Sequence, residues 1–594
     1  MVIEGPRKAV PAAVALPPGL AAACFTIPAL LCLVASLSAN PALLDGGLLN
    51  PDSAMRLVRL HEIIDSGRPL HTVARDGSGL GAILHWSHAF DSLILLLAAP
   101  FALLMGWSRA VDIASMALGP LGLGALGLAL GWSGFPWARG TVPLWLGALA
   151  VGLATPLLAY SYAGVVHHHI LLVVCAVMTT GWALRLEAGM EAGIGLGAWA
   201  GAGLWLSPES VPYTVMAFGL AGLGLWRVPG AQNLNRGLAL SGLTFFIVTG
   251  LTCLVDPPLG GVGAAEPDRL SLMYVVFAGC TAFCCALPAL GWGRLPACAA
   301  VLASAASWLW AFPSVLHGTE GLMTANEARA FFGSIAEMQP VRTVQQALGF
   351  LTGGALAFVF LGVLAVADRS ALLAYSALAG MVLLLLGWQH VRFTAYPAAL
   401  GAGLLPFMMD TLSTAPWPRS IRSASRVALL MVSLGLPLAA DLAGEGEPAV
   451  AQRSRAPDGG HEEAADACTT SQAVALLKAY PGEIVLAPVN ETPELLRQTD
   501  VLTVGSLYHR NIAAFMRLRA AWLSIPGDQL SPALRDAHVT LVLACPLRAK
   551  LDHPGSNLLD RLAQGRPPAW LARIGGDTGY ILYRVTPELK PRPP

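Results

Sequence analysis

The chain has 594 residues, of which 55% are hydrophobic and 12% charged, and its mean hydropathy is +0.61. That balance excludes a soluble or a disordered protein and leaves a polytopic membrane protein, because so few polar side chains cannot clothe a chain of this length in water. Lys plus Arg and Asp plus Glu are equal at 36 each, so no net charge points to nucleic acid or to an acidic partner.

Arg7 and Lys8 precede an uncharged run from Pro18 to Leu37. The run is long enough to span and lacks a clear small-residue cleavage site, so it reads as a retained first helix with its amino end in the cytoplasm. Asn50-Pro51-Asp52-Ser53 follows and opens a stretch with Arg56, Arg59, His61 and Glu62, whose spacing predicts an amphipathic helix with charges along one side. Asp52 either caps that helix or offers its carboxylate to a metal or a proton. Further apolar runs occupy residues 88–107, 111–131, 141–160, 169–184, 191–206, 211–226, 238–255, 271–291, 295–312, 345–367, 371–388, 394–410 and 426–443.

If every run crossed, Asp52 and His167-His168-His169 would lie on opposite faces, and Arg185, Arg227, Arg236, Arg294, Arg369, Arg419, Arg422 and Arg426 would mostly face outward. Such a topology inverts the positive-inside rule. Treating 88–107 as a re-entrant or surface helix repairs both faults, and its polar start, His85-Trp86-Ser87-His88 with Asp91, singles it out. About thirteen spans remain by the usual length criterion. Residues 39–87, 313–344, Gln389–Arg392 and the carboxyl-terminal region then share the outer side.

Three polar patches fall on that side: Asn50-Pro51-Asp52, His167-His168-His169 and Ser334 to Pro340. The histidines at 167 and 169 can turn toward one centre, and neutral imidazole suits manganese or zinc, although three consecutive histidines also fit an interfacial polar belt. Glu337 lies in Ser334-Ile335-Ala336-Glu337-Met338-Gln339-Pro340, inside a long loop that also holds His317, Glu320, Glu327 and Arg329. Long loops of this kind are often functional lids. Trp205-Leu206-Ser207-Pro208-Glu209-Ser210 ends one span in a sharp turn, with Glu209 either an acceptor-binding carboxylate or a helix-end group.

Composition changes near residue 444, where a polar stretch without hydrophobic periodicity runs to 467. We therefore divide the chain into a membrane domain (1–443), a linker (444–467) and a small α/β domain (468–594). Short β-like runs at Glu483–Val489, Val501–Val504, His538–Ala544 and Tyr580–Val585 alternate with helical patterns near Ser471–Tyr480 and Asn511–Leu523. Within Tyr508-His509-Arg510-Asn511, His509 and Arg510 could meet an anion or a sugar or simply sit at a helix cap. Eight of the ten cysteines sit in or beside apolar runs; Cys468 and Cys545 are alone in the soluble part, where an oxidising compartment would permit a disulfide between them.

These patches resemble motifs of one family, the catalytic subunit of oligosaccharyltransferase with its bacterial and archaeal single-subunit relatives, among the GT-C fold glycosyltransferases. Ser334 to Pro340 is similar to the family's S-V-S-E-H-Q-P loop motif. Gly164-Val165-Val166-His167-His168-His169 is similar to G-x-x-D-H-H, Asp52 sits where the family has its first-loop aspartate, and His390-Val391-Arg392-Phe393-Thr394-Ala395-Tyr396 resembles an R-F-T-x-Y segment. The resemblance covers residues 1–443, and the family plan of about thirteen spans with an outer soluble domain matches too.

The resemblance implies that Asp52, His167, His169 and Glu337 hold a divalent metal, manganese or magnesium. It makes Asp52 and Glu337 catalytic and gives Arg392, with His390 beside it, the donor phosphate. It also implies transfer of a sugar or oligosaccharide from a polyprenyl phosphate or diphosphate to a glycan, lipid or protein acceptor, on the outer face of a bacterial-type inner membrane. Three departures stand out: His167 replaces the family aspartate, Met338 replaces the motif histidine, and the W-W-D acceptor motif is absent, Trp522 and Trp570 being isolated. The alternative is a transporter, flippase or noncatalytic binding subunit for lipid-linked glycans, but the runs carry little internal charge and no two halves repeat.

Overall fold

The computed structural model describes residues 15–40, 43, 46–137, 142–227, 232–443, 468–527, 529–546, 557–576 and 579–586. The expected linker, 444–467, lies outside them. The helices of the first part are α1 (Pro18–Ala39), α2 (Pro51–Ser66), α3 (His88–Met105), α4 (Trp107–Gly134), α5 (Val142–Leu153), α6 (Thr155–Leu158), α7 (His169–Leu184), α8 (Met190–Leu206), α9 (Val211–Arg227), α10 (Gln232–Val255), α11 (Leu272–Ala286) and α12 (Arg294–Ala311). They are followed by α13 (Ala325–Gly333), α14 (Val344–Asp368), α15 (Ala371–Gln389), α16 (Ala395–Thr414), α17 (Arg419–Leu430) and α18 (Leu436–Ala443). Among the described residues seven helices are long and apolar enough to cross a membrane, and three shorter apolar helices accompany them. The chain is thus a multi-pass membrane protein, with fewer helices meeting that length test than the expected thirteen.

Small residues let these helices touch backbone to backbone, the packing device open to apolar helices where burial from water supplies no driving force. Gly124 and Gly127 of α4 lie against Phe25 and Cys24 of α1, and Gly131 against Cys24 and Leu16 just before α1, so the two helices run antiparallel. Gly193 and Gly197 of α8 press likewise on Gly237 and Ser241 of α10.

The α1–α4 pairing bears directly on residues 88–107. Because α1 and α4 are antiparallel, the segment between them leaves and re-enters the bundle at one face. Helix α3 is apolar enough to span, yet it turns through Gly106, whose φ of +82° favours glycine, and folds back on α4. There Phe90, Ile94 and Ala98 pack with Ala110, Val111, Ala114 and Leu118. The apolar stretch Trp107–Trp137 has 31 residues, about 46 Å of helix against a hydrocarbon core of about 30 Å, so its first turns have length to spare for α3. Asp91 of α3 is tied to α2 by Arg56 (2.8 Å) and Arg59 (2.5 Å), all three buried, and Trp86 stacks on Arg56.

The loop between α2 and α3 holds an antiparallel pair, β1 (Thr72–Val73) and β2 (Ala82–Ile83), and the soluble part carries a five-stranded sheet of order β4-β3-β5-β7-β6, built from β3 (Ile484–Leu486), β4 (Leu502–Thr503), β5 (Leu541–Ala544), β6 (Leu571–Gly575) and β7 (Ile581–Val585). The strands β4, β3 and β5 are parallel, and β7 joins antiparallel to β5 and β6. All four β-like runs of the sequence become strands; β6, with Ala572, Arg573 and Gly575, carries no such signal. Cys468 and Cys545 form a disulfide, their Cα atoms 6.1 Å apart.

This domain is fastened to the loop between α2 and α3. Arg75 donates to the carbonyls of Thr499 and Leu496, buried Asp76 accepts from Thr503 and Ser506, and Ser78 N donates to Thr503 O at 2.7 Å. Met55, Val58, Val73, Leu84 and Trp86 share one apolar cluster with Leu496 and Tyr508.

Candidate active site

Asp52 stands in the first turn of α2, but Asn50 is the cap: its Oδ1 accepts from Ser53 N (2.8 Å) and Ser53 Oγ (2.7 Å). Ser53 Oγ in turn accepts from Val166 N at 2.7 Å, which binds the start of α2 to the histidine segment. Gly164, at φ +88°, approaches the Gly47 carbonyl so closely that a side chain would strain the turn that aims this segment. Asp52 is thereby freed from capping, and its side chain is 38% exposed. Its Oδ1 accepts from Tyr508 of the soluble domain at 2.8 Å, and its Oδ2 lies 3.6 Å from His167 Nε2.

From His167 a chain of polar contacts crosses the site. His167 Nε2 is also 3.2 Å from Asn50 Oδ1, and its Nδ1 is 3.2 Å from His169 Nδ1. His169 Nε2 is 2.8 Å from Arg392 Nη2, which also donates to Glu209 Oε1 at 2.8 Å. Burial, the largest influence on His167, pushes its imidazole down despite the opposing pull of Asp52 and Glu337. His168 is held still further down, by burial and then by Arg56.

Glu337 enters from the loop after α13, where Tyr160 donates its hydroxyl to Glu337 Oε2 at 3.0 Å and stacks on His169. Tyr160 can reach because the run 141–160 breaks into α5 and α6, with Pro156 opening the short helix. Met338, where the resemblance expects histidine, sets its Sδ 3.1 Å from Arg392 Nη1. His390 Nδ1 donates to the Met338 carbonyl (2.9 Å) and Val391 N to Gln339 O (3.0 Å), latching the Glu337 loop to the Arg392 turn. Arg392 Nε is buried without a hydrogen-bond partner among the described residues.

Asp52, His167, His169, Glu209, Glu337 and Arg392 therefore converge, and Tyr160, Tyr508 and Asn50 join them. His509 and Arg510 do not. His509 Nε2 lies 2.7 Å from Asp268, and Arg510 pairs with Asp268 (2.5 Å) and Glu266 (2.8 Å), so both residues dock the soluble domain on the loop after α10. Burial alone would raise the Asp268 carboxyl, but hydrogen bonds from His509 and Arg510 outweigh it and hold it well below the ordinary range.

Two His/Asp groups among the described residues could hold a metal ion, His71 with His88 and Asp256, and His85 with Asp268 and His509; ligand atoms in each lie within 4.8 Å of one another. Neither includes Asp52, His167, His169 or Glu337. Each already faces a buried or half-buried guanidinium: Arg269 donates to Asp256 at 3.0 Å, and Arg510 grips Asp268. The sequence offered no spacing signal for either group, since their members come from separate loops.

No family model matches the chain, and no curated protein matches its sequence. Solved structures do. The archaeal oligosaccharyltransferase AglB from Archaeoglobus fulgidus, in complex with an inhibitory peptide and a dolichol-phosphate, superposes with a TM-score of 0.61 at 14% identity, covering 89% of this chain and 69% of that one. The Archaeoglobus fulgidus enzyme tethered to an acceptor peptide containing the NVT sequon gives 0.60 at 13% identity, with the same coverage of 89% and 69%. Its complex with Zn and sulfate gives 0.58 at 13% identity, covering 88% and 68%. The chain shares the GT-C fold of oligosaccharyltransferase.

Proposed function

We propose that this chain is a GT-C glycosyltransferase that moves a sugar or oligosaccharide from a polyprenyl phosphate or diphosphate to an acceptor on the outer face of a bacterial inner membrane. The reading takes residues 1–443 as the catalytic membrane domain and 468–594 as an extracytoplasmic domain that closes over it. The observation that carries it is Arg392. Its Nη1 meets only a thioether, a weak acceptor, and its Nε meets nothing among the described residues. A half-buried, permanently charged fork with open N–H groups suits an anion such as a phosphate.

Leaving-group departure builds negative charge on the donor's phosphate oxygen, and Arg392 stabilises it. Asp52 and Glu337 are the carboxylates on the acceptor side, where one can accept the proton of an attacking hydroxyl or amide. Tyr508 and Tyr160 orient them by hydrogen bonds of 2.8 Å and 3.0 Å. Glu209 acts on Arg392, aiming its fork. The solved structures that hold a dolichol-phosphate and an acceptor peptide support a lipid-linked donor for this fold.

The test is transfer of labelled glycan from extracted native lipid-linked donors by purified protein, beside Asp52→Asn, Glu337→Gln and Arg392→Ala. Turnover in wild type that is lost in folded variants supports the proposal. Binding or vesicle transit of donor without consumption favours a transporter or binding subunit.

A further inference from the structure

A neutral imidazole has one N–H and one lone pair, and a guanidinium only donates. The direction of the chain from Arg392 to Asp52 is therefore fixed. Arg392 Nη2 donates to His169 Nε2 (2.8 Å), so the His169 proton sits on Nδ1 and is donated to His167 Nδ1 (3.2 Å). The His167 proton then sits on Nε2, facing Asn50 Oδ1 (3.2 Å) and Asp52 Oδ2 (3.6 Å). Both lone pairs are used inside the chain. Glu337 Oε2 accepts from Tyr160, and a cation at His169 would also stand beside the Arg392 guanidinium. The four residues that the resemblance assigned to a metal thus offer it two partly exposed carboxylates, each already accepting from a tyrosine, and no free imidazole nitrogen.

We infer that this site neutralises its donor phosphate with Arg392, oriented through the His169–His167–Asp52 chain, and not with a divalent cation. His167 makes the difference: an aspartate there would supply a charge and end the relay, whereas the imidazole continues it. His169 and His167 are positioning residues. They hold the guanidinium by its Nη2, which leaves Nη1 with a thioether and Nε without a partner among the described residues. The inference rests on the proposed donor-phosphate reading of Arg392.

Two measurements test it. In an electron paramagnetic resonance titration of purified protein with Mn2+ alone, wild type should leave the free-ion signal undiminished, and His167→Asp should gain one bound ion that Asp52→Asn removes. Stoichiometric Mn2+ binding by wild type that Asp52→Asn abolishes overturns the inference, as does a folded His167→Asp that binds none. With polyprenyl monophosphate as the probe, His169→Ala should weaken binding by about tenfold, the loss of one hydrogen bond to a charged group, and should have no further effect in an Arg392→Ala background. Additive losses would mean that His169 acts independently of Arg392 and refute the positioning role. Failure of wild type to bind the lipid phosphate at all would overturn the underlying functional reading, which the Mn2+ titration does not touch.

Discussion

Replacing Arg392 by lysine keeps the charge and removes the fork. In the wild type Nη2 is engaged by Glu209 and His169 at 2.8 Å each, leaving Nη1 and Nε as the two groups open to a phosphate. A hydrogen bond between charged groups contributes ~1.5–3 kcal/mol, and a lysine ammonium, a single compact point of charge, cannot reach the phosphate as fully while also holding Glu209. Loss of one phosphate contact predicts a fall in kcat/KM of ~10-fold to ~150-fold for Arg392→Lys. Arg392→Ala forfeits both contacts and strands Glu209 beside the phosphate, so it should fall at least about tenfold further. The assay is single-turnover transfer from a lipid-linked donor, with thermal unfolding in detergent to confirm that each variant is folded. If folded Lys and Ala variants both turn over at close to the wild-type rate, Arg392 does not touch the leaving group.

Asp91→Ala leaves Arg56 and Arg59 buried without their carboxylate, which should cost ~3–5 kcal/mol and show as a markedly lower Tm. Adding Arg56→Met and Arg59→Met to it should recover much of that loss, and no recovery would mean that packing, not charge, is what Asp91 supplies. The disulfide closes a span of 77 residues, so Cys468→Ser with Cys545→Ser should destabilise the soluble domain by ~2–5 kcal/mol, seen as faster proteolysis after residue 468 with the membrane helices intact. Burial, then Arg269, pushes His71 down to about 3. Since an unfolded histidine titrates near ~6.5, the unfolded chain binds more protons between these values, and stability falls as pH drops through that window, by at most ~1.4 kcal/mol per pH unit for this group. Unfolding temperatures in chelator from neutral to mildly acid pH should decline less steeply for His71→Asn than for wild type, and parallel curves would refute the assignment.

Much of the site was legible because intramembrane proteins concentrate their few polar groups where function needs them. Asp52, His167, His169, Glu337 and Arg392 come from segments hundreds of residues apart and still meet. Positive-inside reasoning on the arginines singled out residues 88–107 as a re-entrant or surface helix, while by length and composition His88–Met105 remains apolar enough to cross. The partners were hidden for a physical reason. Tyr160 ends what reads as an ordinary apolar run, and only the break at Pro156 turns it toward Glu337. Tyr508 reaches Asp52 because Arg75 and Asp76 clamp the soluble domain, a docking that no periodicity encodes. His509 and Arg510 carried the charge expected of an anion site, but Asp268 and Glu266, from a loop with no motif, take it up.

The central claim is that the donor's phosphate leaves while bound to this site. Its most direct measurement is release of free polyprenyl phosphate or diphosphate from native lipid-linked glycan by the purified wild-type protein, followed by mass spectrometry, with Glu337→Gln as the folded control. The account predicts release that depends on added acceptor and collapses in the variant. Intact donor in every sample, with the lipid-linked glycan still bound, would contradict it.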